Sequence, residues 1–179
     1  MPSSQIENIS TITQWIADLK PKSILDVGVG FGKYGALARE YTDIRNGRYC
    51  QSHWQTIIDG IEIFGGYENP LWKIYDQIYL NDARLIIPNL RNYELILLCD
   101  ILEHFEKDQA LLLLKDCLSF ATRAVIVSTP SINFPQGQVN GNIFESHLSV
   151  WGADDFKDGL IEVIGPTISV LYLKKEITK

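Results

Sequence analysis

The sequence predicts an α/β protein: a single domain on a doubly wound sheet, mostly parallel with an antiparallel last strand, and helices on both faces. Three observations carry that expectation. Short apolar strands alternate with helical stretches along nearly the whole chain. The run "YELILLCD" is continuously apolar, as a strand covered on both faces must be. An early apolar run, "SILDV", passes through a glycine loop directly into a helix.

Bulk properties narrow the class further. At 179 residues the chain suffices for one domain with its own core. A hydrophobic content of 46% and a charged content of 21% are those of a soluble globular protein. No apolar run approaches the roughly 18 residues of a membrane span. The opening "MPSSQIENIS" lacks the basic and apolar regions of a secretory signal, so a cytoplasmic location is expected. A net charge of −6 argues against nucleic acid and membrane surfaces as partners, because both demand a basic field. Cys50, Cys99 and Cys117 are widely spaced, form neither a CxxC pair nor a zinc cluster, and read as reduced thiols.

Residues 1–20 read as a helix. Ser4 and Glu7 have capping-box spacing, Ile6, Ile9, Thr13, Ile16 and Leu19 form its stripe, and Pro21 ends it. A strand over Ser23–Val27, the glycine loop and a helix from about Lys33 to Tyr41 follow. Residues 42–55 form a polar and aromatic insertion without a clear period. "TIIDGIEIF" is the second strand, a short helix begins near Pro70, and a third strand lies near Gln77–Leu80. "DARLIIPNLRN" is a short helix broken at Pro88.

"YELILLCD" is the fourth strand. A long helix then runs from about Glu106 to Phe120, with Ala110, Leu111, Leu114, Cys117, Leu118 and Ala121 as its core stripe and Leu112 and Leu113 off it. "RAVIVST" is the fifth strand. After the loop of residues 129–151 and a short helix near Asp154, "LIEVIG" and "TISVLYLKK" make a hairpin through Gly165-Pro166. Right-handed crossovers put the ligand crevice outside the carboxyl ends of the strands. The loops after Val27, Glu62, Leu80, Cys99 and Thr129 therefore share one face, and the 42–55 insertion lies on the opposite one.

The glycine loop "DVGVGFGKYG" is not a dinucleotide fingerprint. That motif is GxGxxG, whereas Gly28, Gly30 and Gly32 are spaced GxGxG and Lys33 stands where the third glycine belongs. A P-loop fails too, since Tyr34 follows Lys33 in place of a hydroxyl for magnesium. Asp26 before the loop suits a cationic ligand, such as a sulfonium with an α-amino group, better than a pyrophosphate. A nicotinamide-dependent oxidoreductase is accordingly disfavoured.

"ILDVGVGFG" resembles the first motif of the class I, seven-stranded S-adenosylmethionine-dependent methyltransferases. The resemblance continues in order from about Pro21 to Lys174. It implies that Asp26, Gly28, Gly30 and Gly32 hold the methionine end of S-adenosylmethionine. Glu62, with Ile63 beside it, matches the ribose-binding position. Asp82, with Ala83, matches the adenine-contacting segment, and Asp100 would border the transferring methyl; the product would be S-adenosylhomocysteine. One departure is that Glu62 follows Asp26 by 36 residues, against about 20 in a compact unit of this kind. The far-face insertion explains most of the excess.

The acceptor is less legible. Base methylases carry an Asn/Asp-Pro-Pro-aromatic motif where this chain reads "CDILEHF", and the Pro-Cys of a cytosine-C5 enzyme is absent. A small-molecule acceptor is expected, with residues 129–151 as its lid. "DILEH" is similar to the Glu-x-x-Glu-His run that holds a divalent ion in some quinone-biosynthesis O-methyltransferases, here as Asp100, Glu103 and His104. Many class I members carry Glu-His at this place without metal, and the metal-free reading is preferred.

His104 and His147 are the catalytic candidates. His147 is either a general base or a residue that ties the lid down. Phe31, Tyr34, Phe64 and Tyr67 flank the cofactor loops, with Phe64 as a packing partner for adenine. Tyr49 and Trp54 of the insertion are candidate contacts for a second copy or another protein. They leave a non-catalytic, cofactor-binding adaptor as the alternative to an enzyme.

Overall fold

The computed structural model describes residues 5–174. Seven strands make one sheet: β1 (Ser23–Val27), β2 (Ile57–Glu62), β3 (Gln77–Leu80), β4 (Tyr93–Cys99), β5 (Ala121–Pro130), β6 (Leu160–Ile164) and β7 (Thr167–Leu173). Their order is β3-β2-β1-β4-β5-β7-β6. Every pairing is parallel except those of β7, which runs antiparallel to β5 and β6. The order reverses between β1 and β4, which leaves a crevice above their carboxyl ends.

Side-chain alternation splits the core between the two faces of the sheet. Ile24, Leu95 and Leu97 point to one face, where α1 (Ile9–Leu19) and α2 (Lys33–Thr42) cover them with Ile12, Ile16 and Ala38. Leu25, Val27, Ile96 and Leu98 point to the other, under α3 (Ala83–Ile86) and α4 (Lys107–Phe120). On α4 the buried stripe is Ala110, Leu113, Leu114 and Cys117, the i, i+3, i+4, i+7 set of an amphipathic helix. The expected stripe is thus corrected: Leu113 is 1% exposed and belongs to the core, whereas Leu111 is 45% exposed.

The first helix starts at Ile9, later than expected, with Asn8 at its N-cap and Ile6 outside it. Ser4, half of the proposed capping box, lies outside the described residues. The helix stops where Lys20 turns left-handed (φ 46°), just before Pro21.

The 42–55 insertion is two 3₁₀ turns, Ile44–Asn46 and Gln51–His53, tied to the body by a buried arginine. Arg39, 2% exposed, donates to Asp43 at 2.6 Å and Asp76 at 3.1 Å, and to the carbonyls of Thr56 and Ile74. Asp43 also accepts from Arg48 Nε at 2.6 Å and from the Gln55 amide at 2.9 Å. Trp54 lies on the Arg39 guanidinium, 4.1 Å from carbon to ring centroid. Trp54 therefore covers this charge cluster, while Tyr49 and the free thiol of Cys50 are among the insertion's exposed groups. Among the described residues no helix is long and apolar enough to cross a membrane.

Arg39→Met is expected to destabilise the fold by about 1–3 kcal/mol, because it removes one of the two guanidinium partners of buried Asp43 and leaves the Thr56 and Ile74 carbonyls without their donor. Urea unfolding of the two proteins at neutral pH measures this.

Candidate functional site

The glycine loop is shaped by what lies beneath it. The amides of Gly28 and Val29 donate to the Ile61 carbonyl at 2.8 and 3.1 Å, which folds the loop over the end of β2. Gly28 has φ 81°, a left-handed conformation that favours glycine, and a Cβ there would stand 1.9 Å from Ile101 Cδ1 and force that side chain to move. Under the start of α2, the Tyr75 hydroxyl donates to Asp26 Oδ2 at 2.6 Å and accepts from the Gly35 amide at 3.1 Å.

That contact corrects one expectation. Asp26 is 2% exposed and faces the core side of β1, away from the crevice. It supports the loop through Tyr75 and does not line the ligand cavity. Gly32 likewise stays off the cavity, where it caps α2 with φ 91°. Burial pushes the Asp26 carboxyl up to about 7, against the Tyr75 hydrogen bond, which favours the ionised form.

A cavity of about 510 Å³ opens above the strand ends. Gly28, Gly30, Glu62, Ile63, Asp82, Ala83 and Asp100 all line it, so the remaining cofactor candidates converge there. Glu62 ends β2; its Oε2 accepts from the Gly30 amide at 2.8 Å and its Oε1 from the Phe64 amide at 2.9 Å. Burial raises its pKa. Asp82 caps α3 through the Arg84 amide at 2.9 Å, and the Arg84 guanidinium holds its carboxyl below the usual range. Arg84 lies over the Phe105 ring, also on the cavity wall.

Asp100 turns the chain at the end of β4 with φ 55°, a left-handed conformation that short polar side chains tolerate best. Its amide donates to the Ser128 carbonyl at 2.8 Å and its Oδ1 accepts from Ser128 Oγ at 3.2 Å. Lys33 reaches the same cavity; burial lowers its pKa, and the charge of Asp100 works the other way.

The rest of the wall joins the turn after β4 to residues 129–151. Glu103, 2% exposed, accepts from Thr129 Oγ1 at 3.0 Å, and its carbonyl accepts from the Leu148 amide at 2.7 Å. Burial and the charge of Asp100 hold its carboxyl well above the usual range. His104 Nδ1 lies 3.3 Å from the Ser146 carbonyl and His147 Nδ1 lies 2.7 Å from that of Phe134. The two rings meet edge-on with centroids 4.9 Å apart, and burial lowers the pKa of both imidazoles. One potential ligand atom each from Glu103, His104 and His147 lies within 4.8 Å of the others. Asp100, expected in such a group, is not part of it; His147 takes its place.

Sequence reasoning missed the latch of this segment. Tyr67 Oη donates to Glu145 Oε1 at 2.6 Å and accepts from Asn142 Nδ2 at 3.1 Å, while Gln136 Nε2 donates to the Glu145 carbonyl at 2.7 Å. No local spacing signals a pair so far apart in the chain. Phe64, expected against adenine, instead packs edge-on against Tyr67 at 4.9 Å, and Ile63 is the residue on the cavity.

Solved structures share this architecture. Magnesium protoporphyrin IX methyltransferase (ChlM) from Synechocystis PCC 6803, solved with S-adenosylmethionine bound, is 13% identical with a TM-score of 0.63, over 94% of this chain and 78% of its own. A SAM-dependent methyltransferase from Archaeoglobus fulgidus is 14% identical with a TM-score of 0.66, over 92% of each chain. The methyltransferase domain of bacterial CtHen1-CN is 16% identical with a TM-score of 0.63, over 94% of this chain and 98% of its own. No protein-family model matches the sequence, and no curated protein matches it. At these identities the likeness establishes the fold, that of the class I methyltransferases.

Asp26→Asn tests the support beneath the loop. Because folding raises the Asp26 pKa from 3.8 to about 7, its contribution to stability is full below pH 3.8 and is lost as pH rises to about 7. An asparagine keeps an acceptor for Tyr75 without that titration. The variant is expected to lose stability less steeply than wild type between pH 4 and 7, by about 1.4 kcal/mol per unit of pKa shift. Urea midpoints measured across pH 4–8 give the two curves.

Proposed function

We propose that this protein catalyses S-adenosylmethionine-dependent methyl transfer to a small-molecule acceptor. One observation carries the reading: a glycine-turned loop at the β1/β4 crevice shares its cavity with acids at the ends of two successive strands, Glu62 and Asp82. The class I fold supports the same reading.

The residues present fit such a ligand. The Glu62 carboxyl group accepts the Gly30 and Phe64 amides, one on each oxygen, and the Ile63 amide besides; of its roughly four lone-pair sites a ribose hydroxyl can donate to the one that remains. Asp82, held ionised by Arg84, is an acceptor for an exocyclic amine. Carboxyl groups of Glu62, Asp100 and Glu145 surround the cavity, which favours a cationic ligand over a phosphate. When bound, S-adenosylmethionine supplies a methyl group activated by a sulfonium.

The chain's own part is alignment and exclusion of water, which can supply much of the acceleration of an in-line transfer. The segment latched by Tyr67 and Glu145 forms one wall of the cavity. A cavity of about 510 Å³ supports a compact acceptor group beside the cofactor, in keeping with a small molecule. His104 and His147 face that space as neutral imidazoles, available to take a proton or to bind a ligand.

Calorimetric titration with S-adenosylmethionine, S-adenosylhomocysteine and NAD tests the cofactor, followed by assay of S-adenosylhomocysteine release with pooled hydroxylated, amine and carboxylate acceptors. Both adenosyl ligands are expected to bind and NAD is not; binding without turnover on any pool would point to an adaptor. Glu62→Gln and Asp82→Asn are each expected to weaken S-adenosylhomocysteine by about 1.5–3 kcal/mol, the range for a hydrogen bond to a charged group. His104→Ala and His147→Ala should leave that affinity unchanged.

A further inference from the structure

We propose that the methyl acceptor is a primary or secondary amine carried on an apolar body, and that transfer leaves it as an N-methylammonium. This deepens the methyltransferase reading and rests on it. The cavity is the site; the sign of its charge and its apolar mouth select the acceptor.

Among the described residues five acids line the cavity, Glu62, Asp82, Asp100, Glu103 and Glu145, against two bases, Lys33 and Arg84. Arg84 is held on Asp82, and the charge of Lys33 is set against Asp100. Glu103 is fully buried and stays neutral, which leaves four charged acids facing two bases. S-adenosylmethionine brings a sulfonium, an ammonium and a carboxylate, one net positive charge. The loaded cavity therefore still holds an excess of negative charge, and a cationic acceptor answers it. Glu145 is central to that excess, since its charge acts on Glu62, Glu103, His104 and His147 alike.

Hydrogen-bonding character agrees. A backbone carbonyl only accepts, so the nitrogens facing the Ser146 and Phe134 carbonyls, His104 Nδ1 and His147 Nδ1, carry the protons of the neutral rings. Nε2 of each ring is left as an acceptor on the cavity wall. An amine has N–H groups to give to such a wall; a carboxylate has none.

The reaction itself follows the same sign. The ammonium first releases a proton to water, and the free amine is the nucleophile. Its lone pair forms the new N–C bond while the C–S bond breaks, with the bonding electrons left on sulfur, so positive charge passes to nitrogen. Carboxyl groups stabilise that arrival. A hydroxyl acceptor would have to develop an oxyanion among the same acids, and a carboxylate would enter as an anion; both meet repulsion. At the mouth, Ile6, Phe31, Phe134 and Phe144 line the cavity and are exposed, and Phe134 flanks His147 with centroids 6.0 Å apart. That rim seats an apolar body beside the acids, and its ring faces attract an alkylammonium.

The test uses the full chain saturated with S-adenosylhomocysteine at neutral pH and physiological salt. Two matched trios are titrated by ligand-observed NMR: 2-phenylethylamine, 2-phenylethanol and 3-phenylpropanoate, then octylamine, octanol and octanoate. Each amine is expected to bind at least about tenfold tighter than its alcohol and its carboxylate. With S-adenosylmethionine and all six compounds pooled, the methylated products expected by mass spectrometry are N-methylamines alone. Glu145→Gln should weaken both amines at least about fivefold and leave the alcohols unchanged. Tyr67→Phe, which removes the same hydrogen bond but keeps the charge, should preserve the preference and so separates charge from latch. If Glu145→Gln does not fold, the wild-type ranking and products decide. An alcohol or carboxylate that binds as tightly as its amine, no binding by either trio, a preference untouched by Glu145→Gln, or any outcome other than a methylated amine overturns the assignment. Failure of the methyltransferase reading appears separately, as no affinity for S-adenosylhomocysteine in a protein that still ranks the amines first.

Discussion

The Tyr75 hydroxyl sits where three parts of the crevice meet. It joins Asp26 at the end of β1 to the Gly35 amide in the first turn of α2, and its ring occupies space that a side chain at position 35 would need. A Cβ on Gly35 would stand 2.1 Å from Tyr75 Cζ, so helix and ring approach this closely only with glycine there. On β2, Gly60 leaves room for Val29, whose Cγ2 would lie 2.3 Å from an added Cβ. The loop position is therefore set from below, by burying a phenol and a carboxyl together. Burial alone would make the acid costly, and the short hydrogen bond offsets part of that cost.

Above that base the cavity is assembled from two kinds of structure. One side is strand ends and tight turns, where Gly28, Glu62 and Asp100 are held by backbone hydrogen bonds within the sheet. The other is irregular chain, secured by side chains: Glu145 on Tyr67, and Glu103 through its carbonyl to Leu148 and Ser149. Such an arrangement keeps one wall rigid and makes the other depend on a few polar contacts. Variation in the second wall leaves the hydrogen bonding of the sheet untouched.

This division explains what could be read from sequence. Strand order, the glycine loop and the acids at strand ends are local patterns, because a strand that finishes in an acid puts it at the crevice whatever the remote chain does. The faces of individual side chains were less secure. Asp26 was placed on the ligand, yet it shares a face with Ile24, and two-residue alternation turns both to the core covered by α1 and α2. The α4 stripe failed by one residue for a similar reason, since a run of four leucines carries no periodic signal to choose among them. Contacts across long loops, such as Tyr67 with Glu145 or His104 with His147, have no signature in spacing at all.

The same geometry bears on the two ligands that a glycine loop before a helix can serve. A pyrophosphate needs free amides at the loop and the start of the helix. Here the Gly30 amide is taken by Glu62 Oε2 at 2.8 Å, so a phosphate brought to that amide would meet a carboxyl group first. The Gly32 amide is turned back to the Val29 carbonyl at 2.8 Å. With these two amides taken and the Glu62 carboxyl group beside them, this part of the loop suits an anion less well than a bare glycine turn would. A glycine pattern alone carries none of this information; the partner of the Gly30 amide adds it.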